Sequence, residues 1–597
     1  MIFGHGTVVN QPIHTFLLCC CAVLLGHCLL AARGNVFRDY PGCDLGFSIG
    51  LGLGAFGAAF LAARLLFQAG PFLSGSLVVA LALLAIALYF LSGSKTTRGE
   101  LPSAGQGGLY VLLGLFGLLF LVSHYNGAGG EQDAWFIWNL KAAFLSGDGA
   151  CLAESLRSTN HPDYPLVLPG TIACLWSVTG QKTFAAPASI AFLYALGLLV
   201  LLQAAATRRS GPFIGLLGLL FLLATPFFTT LTAWQYADIP LAFYIVGVFT
   251  AVLLHDLRPD RRLLLLAWVL AALACWTKNE GILFFCALLP PRLIISFRKK
   301  NFFELSCLFF ASLAVGVSLV AFKQFILVPN DLWANLHWRA MLGQLLDSHR
   351  HALIGRFLTA TLTSAATWQY VPLLFLAFVL ILGPDKRKLT QEGSVTCLAA
   401  IVLALLGYYG VYLLSYQDLS WLMQTSIDRL FMHYWPGIVL VLLCCVKTEA
   451  LPGLQKVCLS VVCSRMLLVG VAVFALAITL YTRSLTANHP LVHAVETLTS
   501  MRIALDRYHA VHGAYPVSQA LGDGWDNGFL REGQSEETFE EDIGDAYSYR
   551  SDGKDYKLLG HFRTPQTGAA IISAYPDMLN TSRCCSFGFW TNAARDW

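Results

Sequence analysis

Apolar residues in this chain gather into long, nearly uninterrupted runs, and polar residues into the short stretches between them. About fourteen runs can be marked off, at 15–32, 46–67, 76–91, 107–123, 184–205, 212–230, 237–255, 263–276, 281–297, 303–322, 368–382, 397–414, 430–446 and 465–481. A helix needs about 20 apolar residues to cross the hydrocarbon core, so the pattern predicts a polytopic helical bundle in which 263–276 is a short member. The apolar stretch 164–180 (YPLVLPGTIACLWSVTG) is short and carries two prolines and an internal glycine. It predicts a re-entrant or interfacial helix rather than a span.

After Ser484 the pattern changes. VETLTSMRIALDRYHAVHG spaces Val495, Leu498, Met501, Leu505 and Tyr508 by three or four residues, an amphipathic helix stopped by Gly513. AYSYRSDGKDYKLLGHF then reads as two alternating strands around an Asp552–Gly553 turn. Three regions follow: extra N-terminal membrane helices over 1–106, the main membrane domain over 107–483, and a small C-terminal α+β domain over 484–597.

Composition narrows the class. Hydrophobic residues make up 56% of the 597 and charged residues 12%. A soluble domain carries about 25% charged residues, so the chain is a membrane protein. A net charge of +4, thinly spread, gives no footprint for nucleic acid. The 17 cysteines sit mostly inside apolar runs, as Cys19, Cys20 and Cys21 do, where cysteine acts as a small hydrophobe. No zinc-type CxxC spacing occurs, and Cys584–Cys585 reads as structural. No Lys or Arg precedes the first run, unlike a signal peptide, so it predicts a true helix entering from outside.

That orientation tests the loops. The inner loops then hold Arg33 and Arg38, Lys95 and Arg98, Arg208 and Arg209, Arg258 to Arg262, Arg298 to Lys300, Lys386 to Lys388, and Lys447 and Lys456. Every inner loop is basic, as the positive-inside rule requires. The same phase places Glu131, Asp133, His161, Asp163, Asp238, Lys278, Glu280, Asp428 and Arg429 outside, with everything after Tyr481. Charged groups at a membrane edge default to a functional reading.

Each candidate has a plainer alternative. Asp133, in EQDAWFIWNLKAAFL, and Asp238, in WQYADIPLAFY, could each be a helix cap. Lys278 and Glu280, in CWTKNEGILFF, could be an interfacial salt bridge in a tight turn. His161, beside Asp163 in NHPDYPLVLP, could be a hydrogen-bonded structural residue, and Arg429, in DRLFMHYWP, an interface anchor. Together they suggest carboxylates for proton transfer or metal binding and cations for a phosphate, with a lipid tail between the helices.

In this order, an acid in the first large outer loop, HPDYPLVLP, YADIPLAFY, WTKNEG and DRLFMHYWP, the chain resembles the polytopic C-type glycosyltransferases. The bacterial members related to protein mannosyltransferases and the lipid A aminoarabinose transferase are the nearest in pattern. The resemblance covers about 112–446. It implies a polyprenyl-phosphate sugar as donor and transfer to a lipid, protein or glycan acceptor on the outer side of the membrane. It makes Asp133 the catalytic base and Asp238 the second acidic position. Lys278 and Arg429 become phosphate contacts, with Glu280, His161 and Asp163 on the substrate-binding side. Relatives often pair Asp with Glu in the first loop, whereas here Gln132 separates Glu131 from Asp133, and three extra helices come first. Some members use a divalent cation and others do not, so the metal is left open.

LDRYHAVHGAYPVS followed by YSYRSDGKDYKLLGHF resembles the periplasmic domain of the G-type major pseudopilin of type II secretion, over about 492–562, without its processing site. That resemblance implies a bacterial inner membrane with the tail in the periplasm. Asp542, Asp545, Asp552 and Asp555 read equally as a solvated acidic face. The rival functions are a membrane transporter, a secretion-apparatus scaffold carrying the tail, and an O-antigen-ligase type of transfer. A transporter would place charge near mid-membrane, but here the cores of the runs are almost free of charge.

Overall fold

A computed structural model describes residues 11–31, 42–91, 106–125, 130–147, 152–327, 343–415, 417–448, 505, 509, 547–551, 556–561 and 586–590. The chain divides into two compact units, Met1–Glu131 with Asp163–Asn488, and Gln132–Pro162 with His489–Trp597.

The first unit is built from helices. They begin with α1 (Gln11–Ala31), α2 (Cys43–Leu61), α3 (Pro71–Leu91) and α4 (Gln106–Tyr125). In the second unit lie α5 (Asn139–Leu145) and α6 (Leu152–Arg157). The first unit resumes with α7 (Val167–Thr179), α8 (Ala185–Ser210), α9 (Pro212–Leu223), α10 (Pro226–Ala233) and α11 (Asp238–Leu257). It continues with α12 (Arg261–Thr277), α13 (Asn279–Arg298), α14 (Phe302–Ile326) and α15 (Ser348–Leu362). It closes with α16 (Val371–Leu382), α17 (Lys386–Leu389), α18 (Glu392–Leu414) and α19 (Leu419–Cys444).

All the predicted runs except 465–481, which lies outside the described residues, coincide with a helix. Among the described residues nine helices are long and apolar enough to cross a membrane, and a tenth if α9 and α10 form one bent span. The protein is therefore a helical, multi-pass membrane protein. The bend between α9 and α10 is 66°. Its cause is Pro226, which has no amide hydrogen to continue the helix. Thr225 at the break turns its hydroxyl back onto the Phe221 carbonyl, 2.9 Å away.

α11 is the axis of the bundle. Every residue from Asp238 to Leu254 is buried, and α8, α12, α18 and α19 pack around it. A helix apolar on all sides has no solvated face to keep and belongs inside a bundle. α7 occupies the short apolar stretch 164–180. Its residues Val167 to Ser177 are all buried, and it packs on α2 and α3. At 1.5 Å per residue it is only about 20 Å long, too short to cross. Small residues let α1 approach α2: a Cβ on Gly26 would lie 2.0 Å from the Ser48 carbonyl oxygen, and one on Gly52 1.8 Å from that of Ala22. Such close backbone approach is the usual device for helix association in lipid.

One end of this unit is tied by a polar network. Arg209, at the end of α8, donates to the Leu253 carbonyl (2.9 Å), Asp256 (3.4 Å), Ser394 (3.2 Å) and Gln391. Asp256 in turn accepts from the Gly393 amide at 2.8 Å. Nearby, Arg292 on α13 meets Glu304 on α14 at 2.6 Å, and Ser296 donates to the same carboxylate at 2.7 Å. Asp260 caps α12 through the Arg262 amide (2.8 Å), and the Arg262 guanidinium on it holds its carboxyl below the usual range. These residues belong to loops and helix ends that the charge pattern puts inside.

In the second unit the described strands β1 (Tyr547–Ser551), β2 (Tyr556–His561) and β3 (Ser586–Trp590) form an antiparallel sheet in that order. β1 and β2 are the predicted pair, in register from Tyr547↔Gly560 to Ser551↔Tyr556. Of the predicted amphipathic helix only Leu505, which is buried, and His509 are described. The four aspartates of the acidic face lie outside the described residues.

Candidate functional site

The N-terminal end of α11 carries a dense cluster of charged side chains. Asp238 is its first residue, where the helix dipole favours an anion. Its side chain is wholly buried, so its charge must be met by the protein. Three groups meet it. Lys278 Nζ lies 3.0 Å from Oδ1, and His433 Nε2 2.8 Å from the same oxygen. Arg429 reaches Oδ2 through Nη2 at 3.1 Å and Oδ1 through Nε at 3.4 Å.

Local structure explains each placement. Lys278 is a single extended residue between α12 and α13, with φ −158° and ψ 153°. Such a short joint works because Gly281 lets α13 fold back on α12; a Cβ there would stand 2.0 Å from the Ala274 carbonyl oxygen. Arg429 and His433 are four residues apart on α19, hence on one face. The Arg429 guanidinium lies over the Tyr236 ring, 4.7 Å from its centre. Tyr408 of α18 touches His433 Nδ1 at 3.0 Å. A carboxylate only accepts, so the His433 proton sits on Nε2 and Nδ1 accepts from the Tyr408 hydroxyl.

Glu280 joins through Lys278, whose Nζ lies 3.0 Å from Oε1. Its other oxygen, Oε2, is buried and has no hydrogen-bond partner among the described residues. The same is true of Asn279 Oδ1, while Asn279 Nδ2 donates to Asp163 Oδ2 at 2.8 Å. Lys323 stands 4.0 Å from that Asp163 oxygen. Of the groups on Asp238, Arg429 is the most open, with 19% of its side chain exposed against 3% for Lys278 and none for His433.

The structure thus brings Asp238, Lys278, Glu280 and Arg429 into one cluster and sets Asp163 beside it through Asn279. Asp133 and His161 belong to the second unit. Asp133 precedes a π-helical turn, Ala134–Trp138, and its side chain makes no capping hydrogen bond to it. His161 has a left-handed backbone (φ 50°), and its carbonyl accepts from the buried Lys141 Nζ. Arg350, in α15, donates to the carbonyls of Tyr412 and Ser415, 2.9 Å each.

Sequence reasoning did not assign His433, Tyr408 or Asn279 to the site. The spacing of His433 from Arg429 was the available signal. Tyr408 lies inside an apolar run and gave none. Among the described residues no group of three or more His, Cys, Asp or Glu side chains is placed to hold a metal. Between the carboxylates of Asp238 and Glu280 stands a lysine ammonium, so these residues do not fit a divalent cation. No family model matches the chain, nor does any curated protein or solved structure, and the cluster around Asp238 stands on its own geometry.

Proposed function

We propose that this protein is a membrane glycosyltransferase. It moves a sugar from a polyprenyl-phosphate donor to an acceptor on the periplasmic face of a bacterial inner membrane, with inversion at the anomeric carbon. The observation that carries this reading is the pair Lys278 and Arg429, both fixed by the buried Asp238, at one end of an otherwise apolar bundle. Cations held in advance of reaction stabilise a leaving phosphate without reorganising. Arg429 is the member open to a ligand, and a guanidinium suits phosphate geometry. The apolar helices around it suit a polyprenyl tail. The order of the sequence motifs supports the same chemistry, and the tail is proposed as a pseudopilin-like α+β domain on the periplasmic side.

The test uses purified protein in lipid vesicles with a panel of polyprenyl-phosphate sugars and an envelope extract as acceptor. Release of polyprenyl phosphate is followed, and donor binding is read separately from thermal protection. We expect turnover with at least one donor and a rise of tenfold or more in donor KM for Arg429→Ala, about 1.4 kcal/mol. Absence of both turnover and protection with every donor would sink the proposal.

A further inference from the structure

We propose that Glu280 is the base that takes the proton of the acceptor hydroxyl, a step that rests on the glycosyl-transfer reading. The resemblance would give this role to Asp133, with Asp238 as the second acid. The geometry of Asp238 argues against a proton-accepting role for that residue. Both of its oxygens are engaged, by Lys278, Arg429 and His433, and its side chain has no exposed surface. A base needs an oxygen whose lone pair can meet a new proton.

Glu280 has one. Lys278 fixes Oε1 at 3.0 Å and so orients the carboxylate. Oε2 is buried without a partner among the described residues, while 19% of the side chain remains exposed. Leaving a charged acceptor oxygen unpaired costs more than leaving a neutral one so. A donor from a ligand would remove that cost. The neighbouring Asn279 Oδ1 is a second buried acceptor without a donor among the described residues. Two unmet acceptors in the first turn of α13 point to a ligand rich in hydroxyl groups.

The step balances as follows. The acceptor oxygen forms a bond to the anomeric carbon, and its proton passes to Glu280 Oε2. The bond from the anomeric carbon to the phosphate oxygen breaks, and its electron pair leaves with polyprenyl phosphate. Glu280 then returns the proton to water.

The full-length protein in vesicles is assayed as wild type, Glu280→Gln, Glu280→Ala, Glu280→Asp and Asp133→Asn, with folding followed by size exclusion. For Glu280→Gln we expect kcat to fall about 10²–10⁴-fold with donor KM within threefold. Formate should restore at least tenfold of the activity lost in Glu280→Ala, which a structural role would not allow. Glu280→Asp, which keeps the carboxylate, should be folded and intermediate in rate. A folded Glu280→Gln with kcat within threefold of wild type overturns the assignment, as does a failure of formate to rescue Glu280→Ala while a folded Asp133→Asn loses about 10²-fold or more in kcat. Donor protection of every variant with no turnover even in wild type would overturn the transfer reading itself, which separates the two failures.

Discussion

His433 Nε2 lies 2.8 Å from Asp238 Oδ1, and neither side chain has any surface exposed to solvent. The imidazole is held from behind by the Tyr408 hydroxyl, so a chain of three polar groups runs from α18 through α19 to α11. In an apolar bundle such a chain fixes the relative rotation of three helices.

Asp238→Asn keeps the shape of the side chain and removes the charge. Lys278, buried, and Arg429, half-buried, then stand beside a neutral amide. Breaking a buried pair in this way costs about 3–5 kcal/mol. Thermal unfolding in detergent should show a marked loss of stability, and adding Lys278→Met should recover part of it, because the second change removes the stranded charge. Simple addition of the two losses would show that the pair is not coupled.

Tyr408→Phe removes one hydroxyl and leaves His433 Nδ1 without a donor. A loss of about 1–3 kcal/mol is expected, with the larger end set by the orphaned nitrogen. If the variant unfolds with wild type, the Tyr408–His433 contact contributes nothing in the membrane.

Gly281→Val should be severe. The added Cβ meets the backbone oxygen of Ala274, which cannot rotate away, so α12 and α13 must part. The joint at Lys278 then opens, and donor protection should be lost together with stability. Retained protection in a folded Gly281→Val protein would show that the joint does not set the site.

Arg209→Ala removes the centre of the network at the other end of α11. Asp256 loses its guanidinium and the Gln391 and Ser394 side chains lose their donor. A cost of about 3–5 kcal/mol is expected. Asp238 and Asp256 are about 27 Å apart along the helix at 1.5 Å per residue, so Arg209→Ala and Asp238→Asn should add in stability within about 0.5 kcal/mol. Donor KM should respond only to the second.

Much of the bundle was legible because its helices are uninterrupted apolar runs, and length plus hydropathy is enough to mark them. The cluster was legible in part. Asp238, Lys278, Glu280 and Arg429 stood out because charge at the edge of an apolar run is rare. Their convergence was not readable, since Asp238 and Arg429 are far apart in sequence and only packing brings them together. Tyr408 was hidden because a tyrosine in an apolar run looks like any other ring. The packing of α7 on α2 and α3 was hidden for a related reason: an apolar helix of that length does not announce its neighbours. The partition of Asp133 from Asp238 into different units was likewise beyond a linear reading.

Lys278 is both the whole connection between two helices and the ammonium shared by two carboxylates. A hinge and a charge are therefore the same residue. Any tilt of α12 against α13 must move the ammonium, and any change of charge at Asp238 or Glu280 must pull on the joint. Shape and electrostatics at this end of the bundle cannot vary independently.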